Sequence, residues 1–231
     1  MLTTDVFVKT YPPDYAWLTT LWKSFAHVSG YRDILVCIEE QYPEPVGLPD
    51  RARVVRCRQC EGRGFSPALE RMRAHQYSDA ERVVYIDSDC VWSRPVDIQT
   101  EPTINLARPI VLWRTWEEAN GAAYLRPHAA ATLGYDPKVE TMCRYPFTFP
   151  RDVLAACWEA LGGYERLDSL ANVTDWDAIG CWAIDHMPEA ITAVNRKDMG
   201  PDCIKQFWSG YRPTHSSVRD ELERLGLTCI E

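Results

Sequence analysis

The sequence predicts a single α/β domain built on a mixed central sheet flanked by helices. Three observations lead there: short apolar runs alternate with helical patterns through the N-terminal half, the runs are apolar on both faces, and a pair of aspartates stands directly behind one of them. With 231 residues, 46% of them hydrophobic and 25% charged, the chain is long enough for one sizeable core and too short for a multidomain assembly. No stretch rich in Gly, Ser or charge divides it. One domain over 1–231 is therefore expected, with a regular half over 1–98 and a loop-rich half over 99–231.

Val6-Phe7-Val8 reads as a buried strand, and Pro12-Pro13-Asp14 ends it in a turn. Asp14 is placed to cap the next segment, where Tyr15, Leu18, Leu21, Trp22 and Phe25 recur at helical spacing until Ser29-Gly30. Ile34-Leu35-Val36-Cys37-Ile38 is apolar throughout, as a parallel strand covered on both faces must be, so a β-α-β crossover is predicted. A proline-rich connection over 42–49 leads to a third strand over 52–57. A helix follows over 66–77, with Pro67 in the first turn, where its missing N–H costs nothing. The fourth buried strand, 82–86, runs into Asp87-Ser88-Asp89. Beyond it the pattern loosens into a strand over 110–113, helices over 151–161 and 175–185, a strand over 191–195 and a closing amphipathic helix over 217–225.

The formal charge of -8 argues against holding a long polyanion by bulk charge, though a local arginine patch stays compatible with it. Only Lys9, Lys23, Lys138, Lys197 and Lys205 are lysines, a bias that codon usage explains at most positions, so each arginine has to be argued singly. The 9 cysteines sit mostly in apolar runs and read as core thiols of a protein in the reducing cytoplasm. Cys57 and Cys60 form a C-x-x-C pair, but no second Cys/Cys or Cys/His pair follows at zinc-site spacing. The N-terminus has no signal-like pattern, and no run approaches the ~20 apolar residues of a membrane span.

The chemistry is concentrated in Asp87 and Asp89. At positions i and i+2 of a strand end, two carboxylates are expected to converge on one hard cation, Mg²⁺ or Mn²⁺, which completes its shell with phosphate oxygens. The carboxyl edge of an open α/β sheet is also where ligands bind. Lying behind two strand-helix units, the run Arg82-Val83-Val84-Tyr85-Ile86-Asp87-Ser88-Asp89-Cys90-Val91-Trp92 resembles the D-x-D region of the GT-A glycosyltransferases. The resemblance implies a GT-A-like domain with a Rossmann-like mixed sheet and a nucleotide-sugar-binding N-terminal half. It further implies a Mn²⁺ or Mg²⁺ cofactor and a nucleoside-diphosphate sugar donor, UDP-sugar foremost. The acceptor would be a hydroxyl on a glycan, a small molecule or a hydroxymethylated DNA base.

The same resemblance suggests roles for other residues. Thr10, Tyr11 and Asp14 match the position that contacts the nucleoside, although Asp14 also suits a turn and helix cap. One of Arg63, Arg71 and Arg73 would reach the donor phosphates, the others lying on a solvated face. Ser88 joins the donor site, and His215, closing an aromatic, turn-rich segment, would be a third metal ligand or part of a donor-closing loop. His128, after Arg126-Pro127, either faces an acceptor or opens a helix. Inverting transfer needs a positioned carboxylate as base. Asp175, with Asp177 behind it, opens a helix beside Trp176, whose ring suits a sugar face; the same acids also suit capping and the helix dipole. Two other classes compete. Nucleotidyl transfer needs a glycine-rich loop that Lys9-Thr10-Tyr11-Pro12 does not provide, and a non-catalytic carbohydrate-binding protein would draw its platforms from the 9 tryptophans and 11 tyrosines.

Overall fold

The computed structural model describes residues 2–58, 66–101, 104, 108–142, 146–207 and 215–227. The first half contains β1 (Thr4–Lys9), α1 (Tyr15–Ser24), β2 (Val28–Ser29), β3 (Ile34–Glu39), β4 (Ala52–Cys57), α2 (Ser66–Met72), α3 (Ala74–Tyr77), β5 (Arg82–Tyr85), β6 (Cys90–Trp92) and β7 (Val96–Asp97). There follow β8 (Ile110–Thr115), α4 (Arg126–Leu133), β9 (Val139–Glu140), β10 (Phe147–Pro150), α5 (Arg151–Ala160), α6 (Gly163–Leu167), α7 (Trp176–His186), β11 (Thr192–Asn195), β12 (Ile204–Gln206) and α8 (Ser216–Arg224).

The central sheet has 5 strands in the order β10-β5-β1-β3-β4. β5, β1, β3 and β4 run parallel, and β10 closes one edge antiparallel to β5. Strand alternation sorts the side chains onto two faces. Val6, Val8, Val36 and Val84 meet Leu18 and Leu21 of α1. Phe7, Leu35 and Tyr85 meet Leu69 and Met72 of α2, Val153 and Leu154 of α5, and Trp176 and Ile179 of α7. This second core also takes in Val111 and Ile191, so one apolar cluster joins residues from both halves of the sequence. A smaller sheet, β11-β8-β9, lies in the second half, and β12 pairs antiparallel with β6.

Several elements differ from the sequence expectation for identifiable reasons. The helix expected over 66–77 is two helices that meet at Arg73, whose φ of -92° and ψ of 3° leave the helical region. Asp14 occupies an N-cap position but accepts no capping hydrogen bond, because its carboxylate is turned to Ser88. Asp175 does cap, accepting from the Trp176 N–H. β10 escapes sequence reading because Phe-Thr-Phe-Pro is too short to show a period, and as an edge strand it tolerates Pro150. Inside α7, a Cβ at Gly180 would overlap the Thr141 side chain, so glycine lets the 140–142 segment lie against the helix. No helix among the described residues is long and apolar enough to cross a membrane.

The amino edge of the sheet is held by Asp5, which is fully buried. Arg32 donates to both of its oxygens, Nε to Oδ1 at 2.9 Å and Nη2 to Oδ2 at 2.7 Å, and Ser78 Oγ donates to Oδ2 at 2.6 Å. Asp5→Ala strips the buried Ser78 hydroxyl and the part-exposed Arg32 guanidinium of an acceptor and is expected to cost about 2 kcal/mol. In urea unfolding this would appear as a lower midpoint at unchanged m-value. A loss below about 1 kcal/mol would show that the network is not a structural anchor.

Candidate functional site

At the opposite edge, the Ile86 N–H adds one bond beyond β5, to Phe7 O at 3.2 Å, and the chain then turns, with Cys90 N–H donating to Asp87 O at 3.1 Å. Asp87, Ser88 and Asp89 thus form a tight turn at the carboxyl edge, between β5 and β6. They point to different neighbours. Asp87 meets Arg71 on the α2 side, with Nη2 to Oδ1 at 3.2 Å. Ser88 Oγ donates to Asp14 Oδ2 at 3.0 Å on the α1 side. Asp89 is 5% exposed, and Gln206 Nε2 of β12 stands 3.5 Å from its Oδ1.

Arg71 links this turn to α7. Its Nη1 donates to Asp175 Oδ2 at 3.0 Å, and its guanidinium carbon lies 4.9 Å from the centroid of the Trp176 ring. Trp176 stacks on Phe147 with centroids 4.2 Å apart and planes 6° from parallel, and meets Tyr85 edge-on at 5.0 Å. The Tyr85 hydroxyl donates to Arg71 O at 2.9 Å, so the strand also fixes the helix that delivers the arginine. Burial raises Asp175 above the ordinary carboxylate range; Arg71 and the Trp176 N–H oppose this, and the charge of Asp87 adds to it. Asp14 is likewise raised by burial, against hydrogen bonds from Ser88 and Tyr11 and with a further push from Asp87.

The structure therefore gathers Asp14, Arg71, Asp87, Ser88, Asp89 and Asp175 around one turn, with Arg71 pairing Asp87 and Asp175, Ser88 pairing with Asp14, and Asp89 turned to Gln206. Thr10 begins beside it, 1% exposed, with an Oγ1 that has no hydrogen-bond partner, while Tyr11 is 39% exposed. The remaining candidates lie elsewhere. Arg73 is occupied by Glu70, Gln76, Tyr77 and Tyr164. Trp176 is 2% exposed and presents no free ring face to a sugar. Asp177 is 0% exposed and faces the 140–142 segment, its Oδ1 accepting from the Thr141 and Met142 N–H groups at 2.8 and 3.3 Å. Half-buried His128 lies in α4, with Nδ1 3.5 Å from Asn172 Nδ2. His215 is exposed at the start of α8 and does not form a compact ligand group with the two aspartates. Arg63 and the 208–214 segment lie outside the described residues.

Asp87 and Asp89 supply hard oxygen donors, and each carboxylate has about four acceptor sites, so partners such as Arg71 leave capacity for a cation. The donor types fit Mg²⁺ or Mn²⁺. A separate cleft between β8 and β10, lined by residues including Leu112, Phe147 and Met199, encloses about 20 Å³, far too little for a nucleotide. Sequence reading missed the Arg71–Asp175 pair, because the two residues stand 104 positions apart and nothing local relates them. Compared with known proteins, the chain matches no family model and no curated protein sequence.

Two measurements probe this arrangement. Arg71→Ala leaves Asp175 and Asp87 facing each other without their shared cation and is expected to cost about 3 kcal/mol at neutral pH. The loss should shrink on acidification, as Asp175 protonates and ceases to need the partner; a pH-independent loss would contradict the pairing. Burial holds Asp177 at about 7, against an ordinary 3.8. Between those values the folded state binds a proton that the unfolded state has released, so stability falls as pH rises through that window. Asp177→Asn keeps the acceptor for both N–H groups and should flatten this slope, adding up to about 4 kcal/mol above pH 7. Urea midpoints across the window provide the check, and an unchanged slope would show that Asp177 is not the titrating group.

Proposed function

We propose that this chain is a metal-dependent glycosyltransferase of GT-A-like fold. It would move a sugar from a nucleoside-diphosphate donor, UDP-sugar first among them, to an acceptor hydroxyl on a glycan, a small molecule or a hydroxymethylated DNA base. The observation that carries the reading is the acid-rich turn at the carboxyl edge of a mostly parallel sheet, tied to α7 through Arg71 and to the start of α1 through Asp14. Ligands of open α/β sheets bind at that edge, and oxygen donors there suit a cation that carries a diphosphate.

In this reading Thr10, Tyr11 and Asp14 contact the nucleoside, with Ser88 holding the Asp14 carboxylate. Asp87 and Asp89 hold Mn²⁺ or Mg²⁺, which when bound neutralises charge on the departing diphosphate. Arg71 adds a fixed positive charge beside the phosphates while keeping Asp87 and Asp175 in place. Asp175 acts as the base: as the acceptor oxygen bonds to the anomeric carbon and the bond to the diphosphate oxygen breaks, the hydroxyl proton passes to its carboxylate. Its raised pKa suits that task, because a more basic carboxylate accepts a proton more readily.

Release of nucleoside diphosphate from UDP-, GDP- and dTDP-sugars, and of nucleoside monophosphate from CMP-sugars, with and without Mn²⁺, tests the proposal. Metal-dependent release from one donor class is expected. Asp175→Asn should lower kcat by about 10²–10⁴-fold, the usual contribution of a general base, with KM little changed. Donor binding without turnover on any acceptor would favour a carbohydrate-binding protein, and no nucleotide-sugar dependence at all would overturn the enzyme.

A further inference from the structure

All 6 cysteines among the described residues are buried free thiols, and two of them, Cys37 and Cys57, share one site with a glutamate. Cys37 on β3 and Cys57 on β4 lie on the α2 face of the sheet, where Glu70 comes in from α2. The two sulfurs and a Glu70 carboxylate oxygen all lie within 4.8 Å of one another, and the three residues are 0%, 2% and 0% exposed.

The strand register argues against a direct bond between the thiols. Cys57 is opposite Glu39 and Cys37 is opposite Val55, an offset of two residues. At ~3.3 Å per residue and ~4.8 Å between strands, their Cα atoms are about 8 Å apart. A disulfide wants ~4.4–6.8 Å. Two thiolates sharing a tetrahedral cation at ~2.3 Å need only bring their sulfurs to about 3.8 Å, which small side-chain rotations supply.

The surroundings are those of a ligand set. Arg73 Nη1 donates to both Glu70 oxygens at 3.3 Å, and the Tyr77 and Tyr164 hydroxyls donate to Oε2 and Oε1. Such a clamp orients a carboxylate as outer-shell partners do around a metal, and the two long Arg73 contacts, 3.3 Å each, are the ones an ion would displace. Lys9 Nζ donates to Cys57 Sγ at 3.3 Å and lies 3.9 Å from Glu39 Oε1. With both thiols neutral, Glu39 and Glu70 balance Lys9 and Arg73, and a divalent ion that displaces the two thiol protons keeps that balance.

The geometry points to a buried site for a thiophilic divalent cation of the zinc type, held by Cys37, Cys57 and Glu70. Its sulfur donors distinguish it from the hard-cation site at Asp87 and Asp89. The three ligands among the described residues leave one tetrahedral position for a further donor. The ion would staple β3 and β4 to α2, and so fix the helix whose next residue is Arg71. The inference does not depend on the proposed transferase activity.

The test uses the full chain, stripped with a chelator, loaded with Zn²⁺ or Co²⁺ and desalted. One equivalent of zinc should be retained, and the Co²⁺ form should show a thiolate-to-metal charge-transfer band. Cys37→Ser and Cys57→Ser should each weaken zinc affinity at least 100-fold and remove the band, and Glu70→Gln should weaken it about tenfold, by analogy with ligand and outer-shell losses elsewhere. Cys157→Ser and Asp87→Asn should leave both readouts unchanged. Wild-type protein that retains no zinc and gives no charge-transfer band overturns the site, whether or not the cysteine variants fold. Zinc retention that survives loss of both Cys37 and Cys57 overturns it as well.

Discussion

One guanidinium organises the carboxyl edge of this sheet. Arg71 stands between Asp87, at the end of β5, and Asp175, at the start of α7, 3.2 Å from one and 3.0 Å from the other. Without it, two carboxylates would face each other, and burial already disfavours the charged form of Asp175. A planar cation with several donors satisfies both at once and lies over the Trp176 ring. The same contacts set the chemistry, since the Arg71 charge opposes the effect of burial on Asp175 without cancelling it.

The sheet's alternation explains why the site draws on both layers. Neighbouring residues of an extended chain point to opposite faces, so a turn leaving β5 hands Asp87 to the α2 and α7 side and Ser88 to the Asp14 side. A single tripeptide thereby reaches both helical layers. The connections are short and polar, whereas the layers beneath are apolar: Phe7, Leu35 and Tyr85 on one face, Val6, Val36 and Val84 on the other. The core fixes the backbone, and the polar edge inherits that precision.

Much of the fold could be read from the sequence because parallel strands buried on both faces leave unbroken apolar runs. The stretches Val6-Phe7-Val8, Ile34 to Ile38 and 82–86 are such runs, and they became the centre of the sheet. β10 and β12 could not be read, since their pairing comes from partners distant in sequence and not from any period of their own. The candidate site was legible where chemistry sat in one tripeptide, and Asp87, Ser88 and Asp89 do lie at a strand end. It was illegible where charge pairing brings remote residues together, as with Arg71 and Asp175, or Glu70 and the two cysteines. Trp176 shows the converse: an aromatic ring beside an acid suggested a sugar platform, yet packing against Phe147 and Tyr85 took it into the core.

In the proposed function the turn at Asp87 and Asp89 carries a diphosphate through a hard cation. Calorimetric titration of UDP into the intact chain, in Mn²⁺ and again in chelator, addresses it without requiring the acceptor. One UDP should bind per chain in Mn²⁺, with affinity falling at least tenfold in chelator and in Asp89→Asn. Equal binding with and without the ion, or binding indifferent to that substitution, would contradict it.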